Sequence, residues 1–274
     1  MCNFALSKRN KSSVRIKEVL SALEQFAPLP LQESWDNAGL QVGLTEVEVS
    51  GALLCLDVTE EIVDEAVRKG CNLVVSHHPL LFRGLKTISD LTDVQRTVMK
   101  AIEQHVCVVS MHTNLDNCFG GVNFKIAGKL EVKNLSFLSS RRVGDVECGS
   151  GVIGELTTPM VSSAFISRVK QVFDVECVLT NKLLQRPVSR VAICGGAGDF
   201  MLDEAVSAGA DAFVTGEMHY HQYFGYDQKI QICVIGHYQS EQYTTEVFCD
   251  IIEDKCPGVA CYIAETKTNP ICYW

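Results

Sequence analysis

The feature that most constrains this chain is a pattern used twice: a short apolar run, long enough for one buried strand, that leads to histidine and, one helical turn later, to a carboxylate. Val106-Cys107-Val108-Val109 leads to His112-Thr113-Asn114-Leu115-Asp116, and Ile232-Cys233-Val234-Ile235 leads to His237-Tyr238-Gln239-Ser240-Glu241. A third run, Leu73-Val74-Val75-Ser76, ends in His77-His78-Pro79. Imidazole and carboxylate groups at the ends of short strands are what a metal site in an α/β protein needs.

The repetition extends beyond the histidines. Leu53-Leu54-Cys55 leads through an acidic helix start to Asp64-Glu65-Ala66-Val67, then to Gly70 and the strand ending at Ser76. Ala192-Ile193-Cys194 leads likewise to Asp203-Glu204-Ala205-Val206, then to Gly209 and a strand ending at Thr215. One βαβ-type unit used twice accounts for the shared tetrapeptide and the matching polar strand ends. The 274 residues suffice for two domains of about 130 residues each. The expected division is 14–135 and 145–274, with the junction in the polar, Gly-containing stretch 131–150. Alternation of strands and helices through both halves predicts an α/β fold with mixed or parallel sheets covered by helices.

Local signals fill in the elements. Val14 to Phe26 reads as an amphipathic helix that Pro28 and Pro30 terminate, after an irregular start over 1–13. Thr59 is placed to cap a helix beginning at Glu60, and Gly70 to close it. Glu33 to Gly43 reads as a loop in which Trp35 is either an anchor or a platform for a base. Gly195-Gly196-Ala197-Gly198 is a strand-to-helix turn whose backbone N–H groups could alternatively hold a phosphate.

Composition excludes several functions. A net charge of −9 gives no support for a nucleic-acid or anionic-membrane surface. No stretch approaches the roughly 20 apolar residues of a membrane span. The thirteen cysteines are odd in number, scattered and without a Cys-x-x-Cys pair, so they read as small buried thiols in a reducing compartment. Met1 to Arg15 has no apolar core of a secretory signal, and the expected location is cytoplasmic.

His77 and His78 are neighbours, and neighbours on a strand point to opposite faces. Both reach one site only where the strand ends, and Pro79 enforces that end. The candidates His77, His78, His112, Asp116, His237 and Glu241, with His219 and His221 nearby, exceed what one tetrahedral ion takes. Two divalent ions sharing a carboxylate fit better, and imidazole with carboxylate suits Zn, Fe, Mn or Ni.

Taken together, the segments Glu33-Ser34-Trp35-Asp36-Asn37-Ala38-Gly39-Leu40, Ser76-His77-His78-Pro79-Leu80, His112-Thr113-Asn114-Leu115-Asp116, Gly120-Gly121-Val122-Asn123 and Gly236-His237-Tyr238-Gln239-Ser240-Glu241 resemble the GTP cyclohydrolase 1 type 2 homologue family, also called Nif-three-like. The resemblance runs from about residue 14 to the C-terminus. It implies two similar α/β domains, a dinuclear metal site between them and a ring-shaped homohexamer. The ligands it implies are His77, His78, Asp116, His237 and Glu241, with His112 left beside the metals or on substrate. GTP cyclohydrolase activity is the family's label. Read from the residues, paired metals suit a metal-dependent hydrolase acting on a small anionic, nucleotide-like or cyclic amide substrate, with a spare imidazole, His112 or His221, moving the proton; His219-Tyr220-His221 has alternate spacing, so both rings share a face if the segment is extended. A non-catalytic metal carrier or interaction scaffold is the alternative. An open cavity with a spare imidazole would favour the first; a closed, fully protein-ligated site would favour the second.

Overall fold

A computed structural model describes residues 13–272 and Trp274. The irregular start expected over 1–13 therefore lies, Ser13 apart, outside the described residues. The first half runs α1 (Ile16–Phe26), β1 (Gly39–Val42), β2 (Ala52–Cys55), α2 (Glu60–Arg68), β3 (Leu73–Ser76), α3 (Asp93–Glu103), β4 (Cys107–Ser110), α4 (Thr113–Asp116) and α5 (Val122–Lys129). The second runs β5 (Val132–Val143), β6 (Val146–Met160), α6 (Ser162–Phe173), β7 (Leu179–Thr180), β8 (Val188–Cys194), α7 (Leu202–Ser207), β9 (Ala212–Thr215), β10 (Gln231–Val234), α8 (His237–Glu241), α9 (Thr244–Lys255) and β11 (Cys261–Ile263).

These elements make a mixed α/β fold with two sheets. The first has the order β1-β4-β3-β2-β11 and the second β5-β6-β8-β9-β10-β7. Each is built on a parallel triplet, β2-β3-β4 and β8-β9-β10; β1, β6 and β7 add to these antiparallel, and β11 adds to β2 in parallel. The triplet strands are short and mostly apolar because both faces are covered, and their alternate residues go to different cores. Leu54, Val75 and Val109 join Val191, Val214 and Cys233 in a core shared by both sheets, into which α1, α5, α6 and α9 also pack. Leu53, Val74 and Val108 face the other way, under α2 and α3. Ala192, Phe213 and Ile232 do the same in the second sheet, under α7.

The expected caps are present. Thr59 Oγ1 accepts from Ile62 N–H at 3.3 Å, which starts α2. Residues 131–150, where the polar junction was expected, form most of the β5–β6 hairpin, turned at Gly144-Asp145, where Gly144 has φ 59°. β5 is an edge strand exposed along most of its length, so it has no apolar run to announce it. The last strand, β11, which falls within the expected second half 145–274, pairs in parallel with β2 at the edge of the first sheet. The C-terminal run thus crosses back to the first sheet after α9 packs in the shared core. Among the described residues no helix is long and apolar enough to cross a membrane.

Phe248 on α9 is fully buried in that shared core. Phe248→Ala should lower stability by about 3–5 kcal/mol in a urea titration, the range for emptying a buried aromatic site. A loss much smaller than this would show that α9 only rests on the core.

Candidate metal centre

The parallel triplets of both sheets end at one place, and the candidate ligands leave from those ends. β3 stops at Ser76, and the turn after it is pinned by hydroxyls. Ser76 and Ser110 bond to each other at 2.7 Å, and their hydroxyls lie 2.9 and 3.2 Å from the His78 carbonyl. β4 stops at Ser110, after which His112 begins the single-turn helix α4 that carries Asp116. In the second sheet β10 ends at Val234. Gly236, at φ 98°, turns the chain into α8, which places His237 and Glu241 one turn apart on one face.

The two halves meet at Glu241. Its Oε1 faces His77 Nε2 at 3.6 Å, and Asp116 Oδ1 lies 3.7 Å from the same nitrogen. Both distances are too long for hydrogen bonds. His77 Nε2 is accordingly buried without a partner. Glu241 Oε2 faces the other way, 3.1 Å from His78 Nε2 and 3.1 Å from His237 Nε2. Two groups thus share Glu241: His77 with Asp116, and His78 with His237, each with ligand atoms within 4.8 Å of one another. An orphaned buried nitrogen facing two carboxylate oxygens fits a cation between them. The donor set, imidazole and carboxylate without thiolate, fits Zn, Fe, Mn or Ni. Cys194 lines the cavity that opens on this cluster, but burial pushes its thiol up, so it stays protonated.

Each imidazole is aimed by a hydrogen bond at its other nitrogen. Nδ1 of His77 meets the Met111 carbonyl at 2.9 Å, that of His78 meets Asp57 at 2.8 Å, and that of His237 meets Glu217 at 2.9 Å. Such partners fix the tautomer and leave Nε2 for the metal. Asp57 follows β2 and Glu217 follows β9, so both come from ends of the same parallel triplets. His112 Nδ1 meets Asp36 at 2.7 Å, and Asp36 also accepts from the Thr113 backbone N–H and hydroxyl.

The charges are strongly biased. Burial pushes the Asp116 carboxyl up to about 7. Burial also pushes Glu241 up, but the surrounding His77, His237 and His78 outweigh it and hold its carboxyl well below the usual range. Burial pulls His78 and His237 down, yet hydrogen bonds to carboxylates overcome it. Asp57 and Glu241 raise His78 to about 10, and Glu241 raises His237 to about 9. Asp36, despite burial, is drawn down to about 2 by His112 and Thr113.

The structure brings together His77, His78, His112, Asp116, His237 and Glu241. It does not bring His221 to them. His219-Tyr220-His221 is not extended: His219 caps a 3-10 turn over Tyr220–Tyr223, and the exposed His221 ring stacks on Phe224 with its edge toward Tyr220. The glycine turn after β8 also has a different use from phosphate binding. The Gly195 and Gly196 N–H groups already donate to Asn123 Oδ1 and Ser240 Oγ at 2.9 Å each. A side chain at Gly196, φ +60°, would run into Glu241 Oε1, so the turn makes room for that carboxylate.

A cavity of about 790 Å³ opens on the cluster. His112 lies on its wall together with Trp35, Phe82 and Phe200, which remain 58%, 47% and 63% exposed. The Trp35 ring sits 5.8 Å from that of Phe82 and 6.0 Å from that of His112. Arg141, also on the wall, is paired with Glu33 at 2.8 Å.

Comparison with known proteins finds relatives of this fold over nearly the whole chain. The model of the family described as Duf34/NIF3 (NGG1p interacting factor 3) matches residues 14–270. A "GTP cyclohydrolase 1 type 2 homolog" of Clostridium acetobutylicum is 31% identical over 230 residues, covering 84% of this chain and 86% of its own. A "Protein NIF3 homolog" of Schizosaccharomyces pombe is 30% identical over 256 residues, 89% of this chain and 90% of its own. Among solved structures, a Staphylococcus aureus hypothetical protein superposes with a TM-score of 0.87 at 27% identity, covering 96% of this chain and 100% of its own. A Bacillus cereus protein related to NIF3 superposes with a TM-score of 0.85 at 23% identity, covering 96% and 100%.

Because His78 and His237 hold protons to about 10 and 9 in the metal-free site, a metal must displace them. Adding Zn²⁺ to metal-free protein in weak buffer at neutral pH should release at least one proton per chain. Affinity should rise as pH increases towards 9–10 and fall as it decreases. Calorimetry in buffers of different ionisation heat measures this, and proton-neutral binding would contradict the arrangement.

Proposed function

The chain belongs to the Duf34/NIF3 family, and from that premise we propose that it is a metal-dependent hydrolase whose centre holds two divalent ions. His77 and Asp116 would hold one ion and His78 and His237 the other, with Glu241 shared; the two groups that meet at Glu241, out of three clusters of ligand atoms, support this count. Bound there, paired dications supply Lewis acidity and lower the pKa of a water. The rest of the reading concerns what the chain's own side chains do.

The observation that carries the reading is His112. It lies on the cavity wall beside His77 and His78, with ring centroids 5.2 and 5.5 Å away, and forms a third cluster of ligand atoms with them, but stands outside both groups that share Glu241. Asp36, held ionised by its hydrogen bonds, orients the ring through Nδ1. That pairing suits a proton carrier whose Nε2 serves the reacting group. Trp35 and Phe82 present apolar ring faces beside it, suited to a planar substrate and to excluding water. The relatives' name, GTP cyclohydrolase 1 type 2 homolog, supports a small anionic substrate of nucleotide-like or cyclic amide type. His221 is not retained in the proton-carrying role.

The proposal includes two halves derived from one duplicated unit. It is supported by the matching parallel triplets and by the Asp-Glu-Ala-Val segments starting at Asp64 and Asp203, one in α2 and one in α7. On resemblance and thiol usage it extends to a homohexamer in the cytoplasm; a light-scattering mass equal to one chain would remove the hexamer.

His112→Ala should keep wild-type metal content while lowering turnover by roughly 10²–10⁴-fold. Metal-reconstituted protein screened against nucleotides and cyclic amides provides the assay. Unchanged turnover in the variant excludes His112 as the proton carrier. No turnover by any metal form would leave a metal carrier or scaffold as the function.

A further inference from the structure

We infer that Thr268, in the segment that follows β11, is a positioning residue for His78, acting through Asp57; the inference rests on the reading of His78 as a metal ligand. Asp57 has one donor for each carboxylate oxygen. Its Oδ1 accepts from His78 Nδ1 at 2.8 Å, and its Oδ2 accepts from the Thr268 hydroxyl at 2.8 Å. With Nδ1 committed in this way, His78 presents Nε2 to Glu241 and His237. Without the Thr268 hydroxyl, Oδ2 loses that donor and the carboxylate is freer to rotate about its terminal torsion.

The route by which Thr268 arrives is itself built. β11 adds to the edge of the first sheet beside β2, and Ala264 N–H continues the ladder to the Leu54 carbonyl at 2.9 Å. The next two backbone N–H groups, of Glu265 and Thr266, donate to the two oxygens of Glu65 at 2.9 Å each. Glu65 lies on α2 with its side chain fully buried. A buried carboxylate is costly unless donors are aimed at it, and two consecutive backbone N–H groups meet that need. Lys69, which caps the C-terminal end of α2, reaches Glu265 at 2.7 Å and Glu65 at 3.7 Å. The segment is therefore clamped two residues before Thr268. The crossing of the C-terminal run back to the first sheet thereby places a hydroxyl behind a candidate ligand almost two hundred residues earlier in the chain.

Thr268 is partly exposed, so its substitution leaves the cores intact. The test uses the full chain as wild type, Thr268→Val, Thr268→Ser and Glu65→Gln. One readout is Zn²⁺ affinity by chelator competition; the other is the imidazole ¹⁵N spectrum of the metal-free protein, which reports the hydrogen bond at His78 Nδ1. Thr268→Val should shift the His78 Nδ1 signal and weaken Zn²⁺ binding by about tenfold, the lower end for lost partners around a ligand. Thr268→Ser should restore both. Glu65→Gln, which loosens the clamp without touching Asp57, should move both in the same direction as Thr268→Val. A Thr268→Val protein with the wild-type His78 signal and wild-type affinity overturns the inference. If wild type binds no Zn²⁺, the metal reading fails, while the metal-free spectra still decide whether Thr268 positions His78.

Discussion

A carboxylate that is 5% exposed and faced by three imidazoles is stable only if positive charge shares the space. Glu241 is that carboxylate, and its two oxygens look in opposite directions. One meets His78 and His237 closely enough for protons to bridge them. The other meets His77 across a gap too wide for a hydrogen bond, where His77 Nε2 has no partner. Protons therefore satisfy one side of Glu241 and leave the other unsatisfied. Cations on both sides would satisfy all of it.

The fold serves this arrangement. Parallel strands buried on both faces direct their C-terminal ends to one edge of a sheet, and ligand-bearing turns collect there. Here two sheets bring such edges together. The first supplies Asp57, His77, His78 and His112; the second supplies Glu217 and His237, with Gly196 clearing room for Glu241. Neither sheet holds both ligand groups alone, so the shared core between them fixes the distances across the site.

Much of this was legible in the sequence, for physical reasons. His77, His78, His112, Asp116, His237 and Glu241 follow apolar runs at spacings that only a strand end or one helical turn can bring to a point. Asp57, Glu217 and Asp36 gave no comparable signal, since a single carboxylate in a loop is ordinary. The hint was position: Asp57 and Glu217 each lie two residues past a strand of a parallel triplet. His221 misled because alternate spacing means a shared face only in extended chain, and that segment is a 3-10 turn. The β5–β6 hairpin was hidden by the exposure of β5, although Gly144-Asp145 is a two-residue hairpin turn. The return of β11 to the first sheet depends on long-range pairing that no local pattern encodes.

The central claim, that Glu241 bridges two metal ions, is tested most directly by a crystal structure of metal-loaded protein with anomalous data collected at the metal edge. The account predicts two peaks about 3.5–4 Å apart, one beside His77 and Asp116 and the other beside His78 and His237, with a Glu241 oxygen on each. A single peak at full loading, or two peaks with Glu241 bound to neither, would contradict it.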